Sequence, residues 1–289
     1  MVNVDKDLTS IFQRGSRTYF FSSLFFSNEL REKVTRLYAF VRVADNYVDL
    51  PIPDVTGFNN FEKSYRKALA GEPSTSSVIR SFVDLMDEVT FDPLWVDAFL
   101  EAMRSDINHK PCTTLADTER YMYGSAEVVG LMMCRIMGLP ESSYTSARLL
   151  GKSMQYINFI RDIEEDRLLG RRYLPTEELQ SYGLTALNES EARKNLPRFS
   201  QFIENQVNRF IVWLGEAEKG YRFIPPGPRT AIATAADMYK WTALSIRKNP
   251  LIIFDRKLKP SRARVIFQGA RNYVKYTLND NNGERLSIP

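Results

Sequence analysis

In the segment LYAFVRVADNYVD, Tyr38, Arg42, Asp45 and Asp49 follow one another at spacings of 4, 3 and 4. On an α-helix those spacings put all four side chains on one face. A second stripe, Gln155, Asn158, Asp162 and Asp166, runs at spacings of 3, 4 and 4 through a segment otherwise rich in Leu149, Leu150, Ile157, Phe159 and Ile160. A solvated helix face usually interleaves Lys with Glu. These stripes instead combine amide, carboxylate and tyrosine in apolar surroundings. Carboxylates at i and i+4 have Cβ atoms about 5–6 Å apart, and two such pairs on facing helices would repel strongly in a partly dry cleft. Without a counter-charge some of their pKa values must rise. Divalent cations resolve the conflict. Oxygen ligands without His or Cys favour Mg²⁺, with Mn²⁺ as the alternative, and leave coordination positions for phosphate oxygens. The expected ligand is a metal-complexed phosphate or diphosphate.

The elements that must position these stripes are helical. Apolar periodicity predicts helices at about 28–49, 58–70, 76–89, 93–108, 115–137, 142–168, 197–222 and 228–248. Asn188 followed by Glu191 reads as a capping box opening a short helix. Breakers lie between the segments, among them Pro51-Ile52-Pro53 and Pro225-Pro226-Gly227. No period-2 strand pattern recurs. With no long linker, the 289 residues are expected to form one all-α domain, its core at about 10–276, followed by a polar, frayed tail at 277–289.

Composition narrows the chemistry. A lone histidine, His109, expected at the surface, leaves little room for a Ser-His-Asp triad and none for a His-rich zinc site. Cys112 and Cys134 lack metal-ligand spacing. The balance of 39 basic against 35 acidic residues gives +4, too small an excess to indicate nucleic acid. No run of about 18–20 apolar residues could span a bilayer, and the start, MVNVDKDLTS, has no apolar signal-peptide core. A cytoplasmic protein is expected, with peripheral contact at a membrane left open. Oligomeric state is not legible.

The motifs resemble those of a known family. Tyr38 to Arg42 through Asp45 to Asp49 resembles the first aspartate motif of the squalene/phytoene synthases. Asn158-Phe159-Ile160-Arg161-Asp162-Ile163-Glu164-Glu165-Asp166 with Gly170-Arg171-Arg172-Tyr173-Leu174-Pro175 resembles the second. Tyr121-Met122-Tyr123-Gly124-Ser125-Ala126 with Val129-Gly130 resembles the pocket helix, and Tyr239 in AADMYKWTA the late tyrosine helix. The similarity covers about residues 10–265 and is most like a prokaryotic phytoene synthase.

The resemblance implies an all-α class I isoprenoid synthase bundle with aspartate motifs on opposite walls of a central cavity. It implies Mg²⁺ held by Asp45, Asp49, Asp162 and Asp166 with Asn158, supported by Gln155. Arg42 and Arg171 would grip diphosphate. Tyr38, Tyr173 and Tyr239 would donate hydrogen bonds to it or steer proton loss. Tyr121, Ala126, Val129 and Gly130 would line the substrate pocket. The implied reaction joins two geranylgeranyl diphosphates head to head into phytoene. The alternative uses two farnesyl diphosphates to make dehydrosqualene, or squalene if NADPH is supplied. A head-to-tail synthase, which would need isopentenyl diphosphate, and a non-catalytic helical binding protein are weaker readings.

Two departures stand out. Asn46 replaces a second consecutive aspartate but lies off the Asp45/Asp49 face. Gly15 stands where some members carry His, so an N-terminal phosphate contact would fall to Ser16 or Arg17. Several readings stay open. Gly124, Ala126 and Gly130 could admit a prenyl chain or close helix packing. Tyr19 to Phe26 could be pocket wall, core or membrane-facing patch. Lys257, within Arg256 to Lys259, could close over phosphate together with Arg262 and Arg264, or the run could be solvated surface. Arg161 could serve the stripe or pair with Glu165.

Overall fold

The computed structural model describes residues 6–278; the side chains of Lys6, Arg17 and Leu278, and the tail from 279, lie outside the described residues. Among the described residues the chain is helical throughout, without strands. Helices α1 (Lys6–Gly15) and α2 (Arg17–Ser22) precede the long α3 (Asn28–Val48). There follow α4 (Val55–Leu69), α5 (Ser77–Val89), α6 (Pro93–Ile107), α7 (Leu115–Met122) and α8 (Val128–Ile136). The second half comprises α9 (Tyr144–Arg161), α10 (Ile163–Leu168), α11 (Thr176–Ser181), α12 (Glu189–Lys194), α13 (Leu196–Glu218), α14 (Pro226–Lys248), α15 (Ile252–Asp255) and α16 (Arg262–Tyr273).

Capping sets most boundaries. Ser27 Oγ accepts from Leu30 N at α3, and Asp54 accepts from Gly57 N at α4, which starts α4 three residues earlier than periodicity suggested. The expected box at Asn188 forms by half. Asn188 accepts from Glu191 N, but the Glu191 carboxylate takes the backbone N–H groups of Thr185, Ala186 and Leu187 instead. The reciprocal box occurs at α7, between Thr114 and Asp117.

Three expectations change here. Helices α1, α2, α11, α15 and α16 were not foreseen: the first four are short, and in α16 apolar residues fall on both the buried and the exposed side, which blurs its periodicity. The segment 115–137 is interrupted by a π-turn, Tyr123–Glu127. The segment 142–168 breaks at Asp162, whose φ of −101° and ψ of 16° end α9 and start α10. The first turn of α10 carries Glu164, Glu165 and Asp166, acids favoured at a new helix N-terminus.

Two apolar cores form. One joins α9, α13 and α14 around Tyr156, Phe202 and Phe210; the other joins α1 and α3 to α6 around Phe40, Phe82 and Phe99. Phe40 stacks on Phe82 with centroids 3.7 Å apart, and each such buried side chain contributes roughly 1.5–3 kcal/mol. Glycines let neighbouring helices approach closely. A Cβ on Gly130 would strike the Ala147 carbonyl, one on Gly151 the Ala126 carbonyl, and one on Gly124 the Ala98 carbonyl. Close packing thus requires glycine at 124 and 130. No helix among the described residues is long and apolar enough to cross a membrane.

Candidate active site

A cavity of about 950 Å³ opens between the two cores. Helix α3 lends it Tyr38, Arg42 and Asp45, with Asp49 just past the helix end, and α9 and α10 lend Gln155, Asn158, Asp162 and Asp166. Both acidic stripes thus face one void. Tyr121, Ala126, Val129 and Gly130 line it from α7, the π-turn and α8, and Tyr239 lines it from α14. Ser16, Arg171, Tyr173 and Lys257 complete the predicted residues on its wall. Ser16 is also the cap of α2, accepting from Tyr19 N at 3.2 Å. Away from the carboxylates the wall is apolar, with Met133, Leu150, Met154 and Ile232.

Arginines hold three of the four aspartates. Arg42 Nη1 donates to Asp45 at 2.6 Å, Arg171 Nη1 to Asp49 at 2.7 Å, and Arg161 Nε to Asp162 at 2.7 Å. Arg161 therefore pairs with its neighbour rather than with Glu165, because the break at Asp162 turns that carboxylate back toward it. Glu165 is taken by Lys257, whose Nζ also lies 3.8 Å from Asp162. The late basic run is thus partly folded over the polar end of the cavity. Lys259 lines it too, and burial followed by the charge of Lys257 lowers the Lys259 pKa.

Electrostatic conflict remains among the carboxylates. Burial first, then the charge of Asp49, raises Asp45 from 3.8 to about 7, with Arg42 opposing. Burial and Asp162 push Asp166 well above the usual carboxylate range. A carboxyl whose folded pKa is raised stabilises the fold fully below the unfolded value, and that contribution is lost as pH rises through the folded value. For Asp45 the window runs from about pH 4 to about pH 7. Without divalent ions, Asp45→Asn should therefore gain melting temperature over the parent as pH rises through this window, by about 2–4 °C per kcal/mol removed. Calorimetry in EDTA checks this, and a gap independent of pH would contradict it.

Asp106, on α6, was missed. It is 4% exposed and lines the cavity. Its carboxylate accepts from Tyr121 Oη at 2.6 Å and from Tyr173 Oη at 2.7 Å, so the Tyr173 hydroxyl is committed to a protein partner. His109 is not at the surface: its side chain is 7% exposed, Nδ1 lies 3.7 Å from Asp106, and Arg172 N donates to Nε2. The available signal was Phe99, Met103, Asp106, an i, i+4, i+7 stripe that ends in an acid where an apolar residue belongs. Asp106→Ala would strand two buried phenol hydroxyls and should cost about 2–6 kcal/mol, at 1–3 for each unmet buried group. Urea unfolding measures it; a loss below about 1 kcal/mol would show that the hydroxyls find other partners. Of the segment Tyr19 to Phe26, left open between wall and core, Tyr19, Phe21 and Phe26 line the cavity. The Tyr19 ring lies 5.9 Å from that of Tyr239, and burial, then Tyr239, raises its phenol well above the usual range.

Among the described residues no three His, Cys, Asp or Glu side chains form a ready-made metal cluster; arginines stand where cations would. The donor chemistry nonetheless suits a hard divalent ion. The groups are all oxygens, and Asn158 Oδ1 is buried without a hydrogen-bond partner beside Asp162, an orphan acceptor that a cation would satisfy.

A family model described as squalene/phytoene synthase matches residues 12–264. The chain is 27% identical over 270 residues to a phytoene synthase of Pseudescherichia vulneris, covering 89% of this chain and 87% of that one. It is 28% identical to a chloroplastic phytoene synthase of Daucus carota, covering 86% of this chain but only 65% of that longer one. A solved dehydrosqualene synthase with bound ligand superposes with a TM-score of 0.84 at 26% identity, covering 93% of this chain and 95% of that one.

Proposed function

The chain belongs to the squalene/phytoene synthase family, and we propose that it condenses two geranylgeranyl diphosphates head to head into phytoene. It is a prenyltransferase of the head-to-head type. The observation that carries the finer reading is one cavity with two acidic stripes at its polar end and a long apolar wall, in a chain whose curated relatives are named phytoene synthases.

In this reading Asp45, Asp49, Asp162 and Asp166 with Asn158 hold Mg²⁺. Bound there, the metal supplies Lewis-acid charge that neutralises a departing diphosphate. Arg42, Lys257 and Lys259 grip phosphate oxygens, which requires Arg42 to leave Asp45. Tyr38 and Tyr239 face the same space with hydroxyls that orient the diphosphate or take part in proton loss. Ionisation leaves an allylic cation, which Val129, Met133, Leu150 and Ile232 keep from water. The first condensation, with loss of one diphosphate and one proton, yields a cyclopropylcarbinyl diphosphate. Its rearrangement, with loss of the second diphosphate and a proton, gives phytoene without a reductant.

The likeness to a dehydrosqualene synthase favours a second reading, in which two farnesyl diphosphates are joined and NADPH is needed only if squalene is the product. Product analysis with each diphosphate, with and without NADPH, tests the choice. Phytoene from geranylgeranyl diphosphate without reductant is expected. A preference for farnesyl diphosphate would replace the first reading by the second.

A further inference from the structure

Helix α16 buries Val265, Gly269 and Asn272, and a Cβ on Gly269 would collide with the Phe25 ring. Its outward face is apolar as well. Ile266, Phe267, Tyr273 and Val274 are 51%, 67%, 44% and 51% exposed, with exposed Ala263 and Ala270 between them. At 3.6 residues per turn these six positions share an arc of about 120°, where a surface helix normally carries polar side chains. Exposed Arg264, Arg271 and Lys275 border the stripe on one side and Arg262 on the other. From Arg256 to Lys275 the chain has seven basic residues, and no acid occurs between Asp255 and Asp280.

We propose that this face of α16 docks on an anionic lipid surface, its apolar stripe entering the headgroup boundary and its basic borders meeting the phosphates. An apolar stripe with basic edges is the pattern of an interfacial helix. A second copy fits less well. A stripe one helix wide falls short of the roughly 800 Å² that a stable interface buries per partner, and two copies would bring like-charged borders together. Arg262, in the first turn of α16, lines the cavity with Phe21 and Phe26, so docking would bring one wall of the cavity to the lipid. That last link rests on the prenyl reading; the docking itself does not.

The test uses the full chain without substrate and vesicles of phosphatidylcholine, alone or mixed with phosphatidylglycerol. Flotation should show binding to the mixed vesicles only, weakened by high salt. Ile266→Ser with Phe267→Ser should lower that affinity about tenfold or more, as should Arg271→Glu with Lys275→Glu, with melting temperature and prenyl turnover in detergent retained. Equal binding by the variants, or no binding by the parent chain, would overturn the proposal. So would a dimer that the Ile266→Ser/Phe267→Ser variant dissolves. If binding appeared only after removal of residues 279–289, the tail would be the occupant of this face and the proposal would fail. Because binding is read without substrate, its outcome is independent of which prenyl diphosphate the cavity accepts.

Discussion

Asp166→Asn is expected to lower prenyl diphosphate turnover by about 10²–10³-fold, the loss typical when one preorganised electrostatic group is removed. In EDTA its melting temperature should be unchanged or higher. Asp166 lies at the polar end of the cavity, and burial together with Asp162 disfavours its charge in the folded chain. Neutralising it relieves that conflict while removing a group the reaction would use. Steady-state diphosphate release and calorimetry on the same preparation separate the two effects. Parallel loss of activity and stability would mean that Asp166 is a structural residue.

The second large effect is expected at Arg171. Its side chain is 4% exposed, Nη1 donates to Asp49 at 2.7 Å, and Nη2 donates to the Val48 carbonyl at the end of α3. Its backbone N–H donates to the Asp166 carbonyl at 2.8 Å. One residue thereby ties the end of the first acidic stripe to the second and caps the C-terminus of α3. Arg171→Met keeps the length but removes the charge and the donors, leaving Asp49, Asp106 and Asp166 without it. A loss of about 2–3 kcal/mol is expected, from the charge-assisted bond to the solvent-reached Asp49 and the Val48 carbonyl left without its donor. Mg²⁺ should then raise the melting temperature of Arg171→Met more than that of the parent, since a cation would stand in for the lost charge. Equal metal response in the two proteins would show that Arg171 does not balance those carboxylates.

Much of the site was legible in the linear order because its parts are local. Spacings of three and four residues decide which side chains share a helix face, so Tyr38, Arg42 and Asp45 could be grouped before any coordinates, as could Gln155 and Asn158. Asp162 shows where local reasoning fails. Helix periodicity carried α9 straight through it, whereas the chain breaks there and gives the carboxylate to Arg161. Asp106 and His109 failed for another reason. Each looks like an ordinary polar residue near a helix end, and only Tyr121 and Tyr173, arriving from later in the chain, make them a buried network.

The order of residues by itself determined the helical class, the two acidic stripes and the oxygen-rich chemistry they imply, since each depends on neighbours within a turn or two. Which arginine neutralises which aspartate, which glycines are packing contacts, and that Lys257 reaches Glu165 across 92 positions were decided by the tertiary structure. Those pairings depend on how helices cross, and crossing is settled by packing between segments far apart in the chain, which no local spacing encodes.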